Sequence, residues 1–256
     1  MYNLKKVFSK ISSLIFILLV ILIWQIVSSL GVIKKFMLPS PISVVDAFCK
    51  DFSILLSNSL TTLEEAIFGL LISIVISFIT SFFMDRFSLI YKMTYPVLII
   101  TQTIPMVAIA PLLVLWLGYD IKPKVVLVAI VCFFPITVGL LEGLKTIDLD
   151  SIKLVKSMGA SNFQIFKYVK FPSALGQFFG GLKIAVSYSV VGAVIAEWLG
   201  GYNGLGVYMT RVKKSYAFDK MFAVIFVISF ISLILIKIID LIQVKVMPWN
   251  NRQKEN

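Results

Sequence analysis

Histidine is absent from this 256-residue sequence, and cysteine occurs only twice, at Cys49 and Cys132. Histidine is the commonest metal ligand and the commonest general base near neutral pH, so its absence argues against both kinds of site. Two separated cysteines, of which Cys132 lies in an apolar run, imply neither a disulfide framework nor a cysteine-based metal site. We therefore expect no catalytic residue and no bound metal in this chain.

Charge is also scarce. Charged residues are 14% of the chain and hydrophobic residues are 59%, against about 25% and about 45–50% in soluble domains. Apolar runs of this length are helices in a bilayer, so we predict an all-α integral membrane protein. The net charge of +11 comes from short basic segments between apolar runs. We interpret these segments as contacts with anionic lipid and as topology signals, and we expect no nucleic acid partner.

Six apolar segments are long enough to cross the membrane. We predict spans at residues 11–30, 63–84, 95–117, 125–141, 178–199 and 221–244. The first of these spans is preceded by basic residues, as a signal peptide is. Residues 28–31 form a poor cleavage site, however, so we expect this span to be retained as a membrane anchor. Between the first two spans, Val44, Phe48 and Leu55 are spaced for one face of an amphipathic helix at the membrane surface.

The distribution of lysine and arginine indicates the orientation. With six spans, both termini lie on one side of the membrane, and the segments on that side carry the larger number of basic residues. Basic residues also precede the first span. By the positive-inside rule both termini are cytoplasmic, and so is the polar segment at residues 142–177.

That polar segment has the pattern of two short helices joined by a turn. Residues 149–158 have helical spacing, and Gly159 suits the residue after a helix end, where glycine takes the left-handed conformation without steric cost. Ser161 and Gln164 match a capping box that starts the second helix. We expect that helix to end at Phe171–Pro172.

The surface of this segment is both apolar and basic. Small residues at Gly159–Ala160 would allow another surface to approach closely, and aromatic and lysine side chains flank them. These flanking residues are Lys156, Phe163, Ile165, Phe166, Lys167, Val169 and Lys170. The pattern favours equally a docking contact with another protein and a basic segment that lies on lipid.

The segment resembles the cytoplasmic EAA loop of ABC importer permeases. The matching positions are Gly159, Ala160, Phe166 and Pro172. Lys153 stands where the family has the glutamate of the motif's name, and Leu154 and Val155 stand where it has the alanines. The resemblance therefore covers the helix–glycine–helix part of the motif and leaves out its acidic half.

Other motifs extend the resemblance over residues 57–249. They look like the nitrate, sulfonate and taurine branch of these permeases, in the same order and spacing. They lie at residues 95–96, 104–105, 110–118, 134–135, 181–185, 196–200 and 204–206. The resemblance implies a six-helix type I ABC importer permease with residues 57–245 as its transmembrane domain. Residues 1–56 would form an N-terminal span with the surface helix, and residues 246–256 a cytoplasmic tail.

The resemblance also implies the partners. A cytoplasmic ABC ATPase would bind the EAA-type loop through Lys156, Gly159, Ala160, Ser161, Phe163, Gln164, Phe166 and Pro172. An extracytoplasmic solute-binding protein would deliver the solute, and a second permease copy in the bilayer would complete the path. The chain has no Gly-Lys dipeptide and hence no P-loop. We expect ATP and Mg²⁺ on the partner ATPase, and no cofactor on this chain.

The implied function is the permease subunit of an ATP-driven importer in the cell membrane. Its solute would be a small organic or inorganic anion, or a vitamin precursor such as a thiamine pyrimidine; the sequence does not choose between them. A secondary transporter would need an ion gradient and no ATPase. An energy-coupling-factor scaffold would also dock ATPases, but it would lack the Ala-Glu-Trp and Gly-Leu-Gly motifs at residues 196–198 and 204–206.

Polar residues inside the third span are candidates for the translocation path. Gln102 and Thr103 lie in the middle of the span, and Pro105 frees a backbone carbonyl. Hydrogen bonds between helices and a simple kink are the alternative explanation.

Acidic residues near span ends are the second group of candidates. Glu197 either lines the path or pairs with a nearby lysine or arginine at the interface, with Trp198 as an anchor. We interpret Glu64, Glu65, Glu142 and Asp240 as interfacial. The loop at residues 200–206 is predicted to be a tight connection, since no strand precedes it to form a phosphate-binding turn.

If Glu197 lines the path, Glu197→Gln lowers solute uptake while the amount of protein in the membrane stays the same, because the charge is lost and the side chain keeps its size. Uptake assays and membrane immunoblots of matched cultures measure the two quantities. Wild-type uptake at normal expression would contradict this prediction.

Overall fold

The structure is a computed structural model that describes residues 2–31, 33 and 37–249. Within these ranges every regular element is a helix, which confirms the all-α prediction. The α-helices are α1 (Tyr2–Ser29), α2 (Pro41–Lys50), α3 (Phe52–Arg86), α4 (Ser88–Thr103), α5 (Met106–Leu117), α6 (Ile121–Lys145), α7 (Leu149–Ser157), α8 (Asn162–Ile165), α9 (Phe171–Gly200), α10 (Leu205–Lys214) and α11 (Phe218–Val246). Most of the predicted polar tail, 246–256, lies outside the described residues.

Four helical stretches of the described chain are long and apolar enough to cross a membrane: α3, α6, the continuous run Asn162–Gly200, and α11. The predicted third span is two helices, α4 and α5, bent by 99°. The bend lies at Ile104–Pro105, because the residue before a proline is driven out of the helical region; Ile104 has ψ of 120°. The predicted first span, 11–30, falls mostly within α1, where the apolar stretch Ile15–Ser29 is shorter than the four stretches above.

The chain divides into two compact units. The first contains the described residues within 2–58 and 208–227. In it Val44 and Ala47 of α2 are buried, and the Trp24 indole donates to the carbonyl of Pro39 at 3.0 Å. Burial raises the pKa of the Asp51 carboxyl, but hydrogen bonds from Lys220 and Tyr208 outweigh it and hold that pKa below its ordinary value.

The second unit contains the described residues within 59–207 and 228–249, and its most extensive contact is between α6 and α9. Glycines allow the two backbones to approach closely. A Cβ on Gly139 would lie 2.7 Å from the carbonyl oxygen of Gln177, and one on Gly143 would lie 2.7 Å from that of Ala174. One on Gly181 would overlap the carbonyl oxygen of Pro135. Such small-residue contacts are how helices pack tightly inside a bilayer.

Hydrogen bonds join α3 to α6 along the same unit. The Thr137 hydroxyl donates to the Ser77 hydroxyl at 3.0 Å, and Ser77 donates to the carbonyl of Phe133 at 3.2 Å. Both side chains come from helices that are otherwise strongly apolar, so these bonds are specific ties between two spans.

The prediction that a helix ends at Phe171–Pro172 is wrong. Helix α8 continues through a π-helical segment, Phe166–Lys170, into α9, and the helical run reaches Gly200 without a break. In the π segment the Phe171 N–H donates to the carbonyl of Phe166, five residues back. A proline lacks the N–H and clashes with the carbonyl four residues before it, and the wider turn of a π-helix accommodates both effects.

Adjacent glycines on α9 provide a test of the α6–α9 contact. We expect Gly181→Ala to lower stability by about 1–3 kcal/mol, since the new methyl group has to displace the α6 backbone. Gly180→Ala is the matched control, because nothing lies within 4 Å of its Cβ. It should be neutral, or stabilising by up to about 1 kcal/mol through helix propensity. Thermal unfolding of the purified protein in detergent measures both, and equal melting temperatures would contradict the packing.

Candidate functional site

The helical corner, residues 149–172, begins with a capped helix. The Asp148 carboxylate accepts backbone N–H groups from Asp150 and Ser151, each at 3.1 Å. The bond from Asp150, followed by those from Ser151, holds the pKa of Asp148 below its ordinary value. A charged cap at this position favours the start of α7.

Gly159 ends α7 as predicted. Its φ is +83°, in the left-handed region that favours glycine. Its N–H donates to the carbonyl of Lys156 at 3.0 Å, and the N–H of Ala160 donates to that of Val155 at 3.3 Å. These two bonds form a Schellman motif, which satisfies the last carbonyls of α7 and turns the chain.

The predicted capping box that starts α8 is confirmed. The Gln164 N–H donates to the Ser161 hydroxyl at 3.3 Å, and the Ser161 N–H donates to the Gln164 side chain at 2.7 Å. Because α8 is continuous with α9 through the π segment, the corner forms one end of the long run Asn162–Gly200.

Most of the predicted contact residues stand on the outside of the corner. Phe163 is 71% exposed, a large apolar area for a side chain next to a capped turn. Lys156, Gly159, Ser161 and Gln164 are also exposed, whereas Ala160, Phe166 and Pro172 are half-buried. A surface that combines an exposed aromatic side chain with polar and basic residues is more typical of a protein contact than of a surface that faces only water.

Two contacts fix the inside of the corner to the end of α3. The ring of Phe166 packs edge-on against that of Phe82, with centroids 5.3 Å apart. Lys170 forms an ion pair with Asp85 at 2.8 Å. The sequence suggested that Lys170 supplies charge to the docking surface, but in the structure its ammonium is paired with Asp85 of the same chain. Lys153 pairs with Asp150 at 2.9 Å on its own helix.

The three polar residues before the bend, Thr101, Gln102 and Thr103, lie in two different environments. The hydroxyls of Thr101 and Thr103 donate to the carbonyls of Leu98 and Ile100 on their own helix, at 2.7 Å and 2.8 Å. Gln102 instead lines a cavity of about 420 Å³ between α4, α6 and α9. Pro105 is the N-cap residue of α5, directly after the bend.

Glu197 lies in a different place from Gln102. It is only 1% exposed and does not line the Gln102 cavity. Its carboxylate accepts the Thr62 hydroxyl at 2.7 Å and the Gly206 N–H at 2.5 Å. Thr62 in turn accepts the N–H of Leu205 at 2.9 Å. The carboxylate therefore occupies the turn that follows α9, which agrees with the predicted tight connection at residues 200–206.

A buried ion pair completes this polar region, which we name the Glu197 cluster (Thr62, Glu65, Lys124, Glu197 and Gly206). Lys124 on α6 contacts Glu65 on α3 at 2.7 Å, and both side chains are almost fully buried. The interpretation of Glu65 as interfacial stays a prediction, and the structure adds that its side chain is buried inside the protein, where Lys124 compensates its charge. The second oxygen of Glu65 is buried and accepts no hydrogen bond from a donor among the described residues, and the acid it interacts with is Glu197.

The cluster contains three residues that sequence reasoning missed as site residues: Thr62, Lys124 and Gly206. For Thr62, the spacing in the sequence could have indicated a place in the site. Thr62 and Glu65 are three residues apart, so they lie on one face of an apolar helix. Lys124 carried no such signal, since it stands next to a polar turn and has the position of an ordinary loop lysine.

Comparison with known proteins relates this chain to membrane transport. The sequence pattern of the family described as "Binding-protein-dependent transport system inner membrane component" matches residues 69–250. The chain is 34% identical to the formylaminopyrimidine transport permease protein ThiX of Halalkalibacterium halodurans, over 98% of this chain and 100% of ThiX. It is 28% identical to the riboflavin transport system permease protein RibX of Chloroflexus aurantiacus, over 91% and 88% of the two chains.

A solved structure shares the fold. The inward-facing MetNI methionine ABC transporter contains a chain that aligns with a TM-score of 0.65 and 17% identity, over 77% of this chain and 96% of that one. At this level of identity the similarity concerns the fold alone.

Removal of one partner tests the buried ion pair. We expect Lys124→Met to destabilise the protein by about 3–5 kcal/mol, because the Glu65 carboxylate stays buried with no cation. A second change, Glu65→Leu, should restore much of the loss. Thermal unfolding in detergent measures both variants.

Lys153→Met is the control for that experiment. The ion pair between Lys153 and Asp150 is exposed, so removing it should lower the free energy of unfolding by less than about 1 kcal/mol. A double variant as unstable as Lys124→Met alone would show that the pair is not the source of the effect.

Proposed function

This chain belongs to the family of binding-protein-dependent transport system inner membrane components, and on that premise we propose how it couples to its partners. It is the permease subunit of an ABC importer and a multi-pass protein of the cell membrane. In the proposed assembly it crosses the membrane six times, with both termini in the cytoplasm, and a partner ATPase binds ATP and Mg²⁺. The chain itself carries out no catalysis.

The helical corner is the proposed ATPase contact. Its support is the exposed Phe163 beside a turn that two backbone motifs stabilise. A stabilised turn presents its side chains with little loss of conformational entropy on binding, and an exposed aromatic is a common binding hot spot. This observation favours docking over the lipid contact that the sequence left open.

The corner is well placed to pass on a displacement. It is one end of the helical run Asn162–Gly200, which is about 58 Å long at 1.5 Å per residue. Lys170–Asp85 and Phe166–Phe82 tie that end to α3. A push on the corner would therefore move α9, and α6 with it through their glycine contact, as one body.

The second permease copy is proposed to face the cavity that Gln102 lines. Exposed residues of α9, among them Gly180, Ile184 and Tyr188, border this cavity. Closure by a second copy would turn an open surface into an enclosed path, and a symmetric dimer does this with one kind of chain. An extracytoplasmic binding protein would deliver the solute, a small organic or inorganic molecule.

The division into residues 1–56, 57–245 and 246–256 stays a prediction. A secondary transporter and an energy-coupling-factor scaffold, the two alternatives from the sequence, lose their support once family membership is established.

Phe163→Ala tests the docking surface. We expect the co-purified ATPase to fall about 30-fold, the effect of about 2 kcal/mol at a hot spot, while the amount of permease stays unchanged because the side chain is 71% exposed. Affinity purification of the permease followed by quantification of the ATPase measures this ratio. Gly159→Asp should also weaken the complex, because it strains a φ of +83°.

Leu115→Ala is the matched control. Leu115 is 78% exposed on α5, outside the corner, and its removal should leave the complex intact. Full ATPase binding and transport in both corner variants would show that the docking model is wrong.

A further inference from the structure

The cavity beside Gln102 carries chemical information about the solute. Its volume is about 420 Å³, within the range of small-molecule sites. Four polar side chains reach it from three helices: Gln102, Glu142, Gln177 and Tyr188. All four are exposed, and across the described ranges none of them hydrogen-bonds through its side chain to another residue.

Glu142 is the only charged side chain that lines this cavity among the described residues. Lys145 on α6 and Lys183 on α9 lie near the cavity in the sequence, but each of them contacts another residue outside it. Lys183 forms an ion pair with Asp240 at 2.6 Å, and the ammonium of Lys145 lies 4.3 Å from the ring centre of Tyr91. The charge that a solute meets in the cavity is therefore negative.

Hydrogen-bonding capacity gives a second constraint. A carboxylate only accepts, whereas the two glutamine amides and the tyrosine hydroxyl both donate and accept. The rings of Phe134 and Tyr188 add flat apolar surface to the lining. A sulfonate or nitrate offers acceptors alone: it can accept from the two glutamine amides and the tyrosine hydroxyl, but it would face the Glu142 carboxylate without a cation to offset it. A planar molecule with N–H donors and ring acceptors satisfies the whole lining.

We propose that this cavity takes a neutral or cationic nitrogen heterocycle with an amino donor, which Glu142 binds by accepting its N–H, and that it disfavours inorganic and organic anions. The proposal rests on the proposed function, because it treats the cavity as part of the importer's path. It chooses between the two solute classes that the sequence left open.

Direct binding to the complete importer, permease with its ATPase in lipid nanodiscs, tests the solute class. The probes are an aminopyrimidine and ethanesulfonate, mixed at equal concentration, and saturation-transfer NMR reports which of them contacts the protein. Wild type should transfer magnetisation to the aminopyrimidine and not to ethanesulfonate. Glu142→Gln should weaken aminopyrimidine binding, and Glu142→Lys should weaken it at least about tenfold and allow ethanesulfonate to bind.

Asp120 supplies matched controls on the same helix. It is exposed at the start of α6 and forms no side-chain cap hydrogen bond. Asp120→Asn and Asp120→Lys repeat the two changes of charge outside the cavity, and both should bind the aminopyrimidine within about twofold of wild type. If Glu142→Lys does not fold, Glu142→Gln and Gln102→Ala replace it, and each should lower binding in the same direction.

Each outcome bears on one claim. Transfer to ethanesulfonate in wild type, no transfer to the aminopyrimidine, or equal binding by Glu142→Gln and wild type would overturn the solute class. ATP-dependent uptake by the same complex in proteoliposomes tests the proposed function separately. Uptake that continues without ATP would overturn that function, whichever probe binds.

Discussion

The close approach of α6 and α9 is the contact on which the rest of the second unit depends. Lipid is as apolar as the helix surfaces, so the hydrophobic effect supplies little force to bring spans together. Dispersion between two backbones replaces it here, and it requires positions without a side chain, at Gly139, Gly143 and Gly181. Once these two helices are fixed, α3 is joined to α6 by Ser77–Thr137 and Lys124–Glu65, and to α9 by Thr62–Glu197 and Asp85–Lys170. The polar contacts determine which helices lie next to each other, and the glycines determine how closely α6 and α9 approach.

The arrangement suits a protein that has to change shape without losing its fold. Helix α9 is held to α3 by hydrogen-bonded groups near both of its ends, and between them it packs against α6 on a surface of small residues. Packed interfaces of this kind have few alternative arrangements, so a small displacement at one end is transmitted rather than absorbed. The polar cavity is lined by residues 177–188 of the same helix, so a displacement of α9 reaches it.

Local features were the easiest to predict from the sequence. The capping box at Ser161–Gln164 and the turn at Gly159 depend on neighbouring residues, and both are confirmed. Features that depend on distant residues were missed. Lys124 has the sequence context of a loop lysine, and only the fold brings Glu65 to it. Pro172 is a strong helix breaker by local rules, but the π-helical segment before it accommodates the ring. The G-x-x-x-G spacing of Gly139 and Gly143 is a local pattern typical of tight helix packing, and the α6–α9 contact lies at these two residues.

The buried ion pair has a consequence for how the chain is made. Glu65 precedes Lys124 by 59 residues, so a ribosome that adds about 5–20 residues per second takes roughly 3–12 s to supply the partner. During that interval α3 carries an acid whose compensating cation has not yet been synthesised. A lone charge is unfavourable in hydrocarbon, so until α6 emerges the Glu65 carboxylate is favoured only where water or another donor solvates it. Formation of the pair is therefore a late step in the assembly of these two helices.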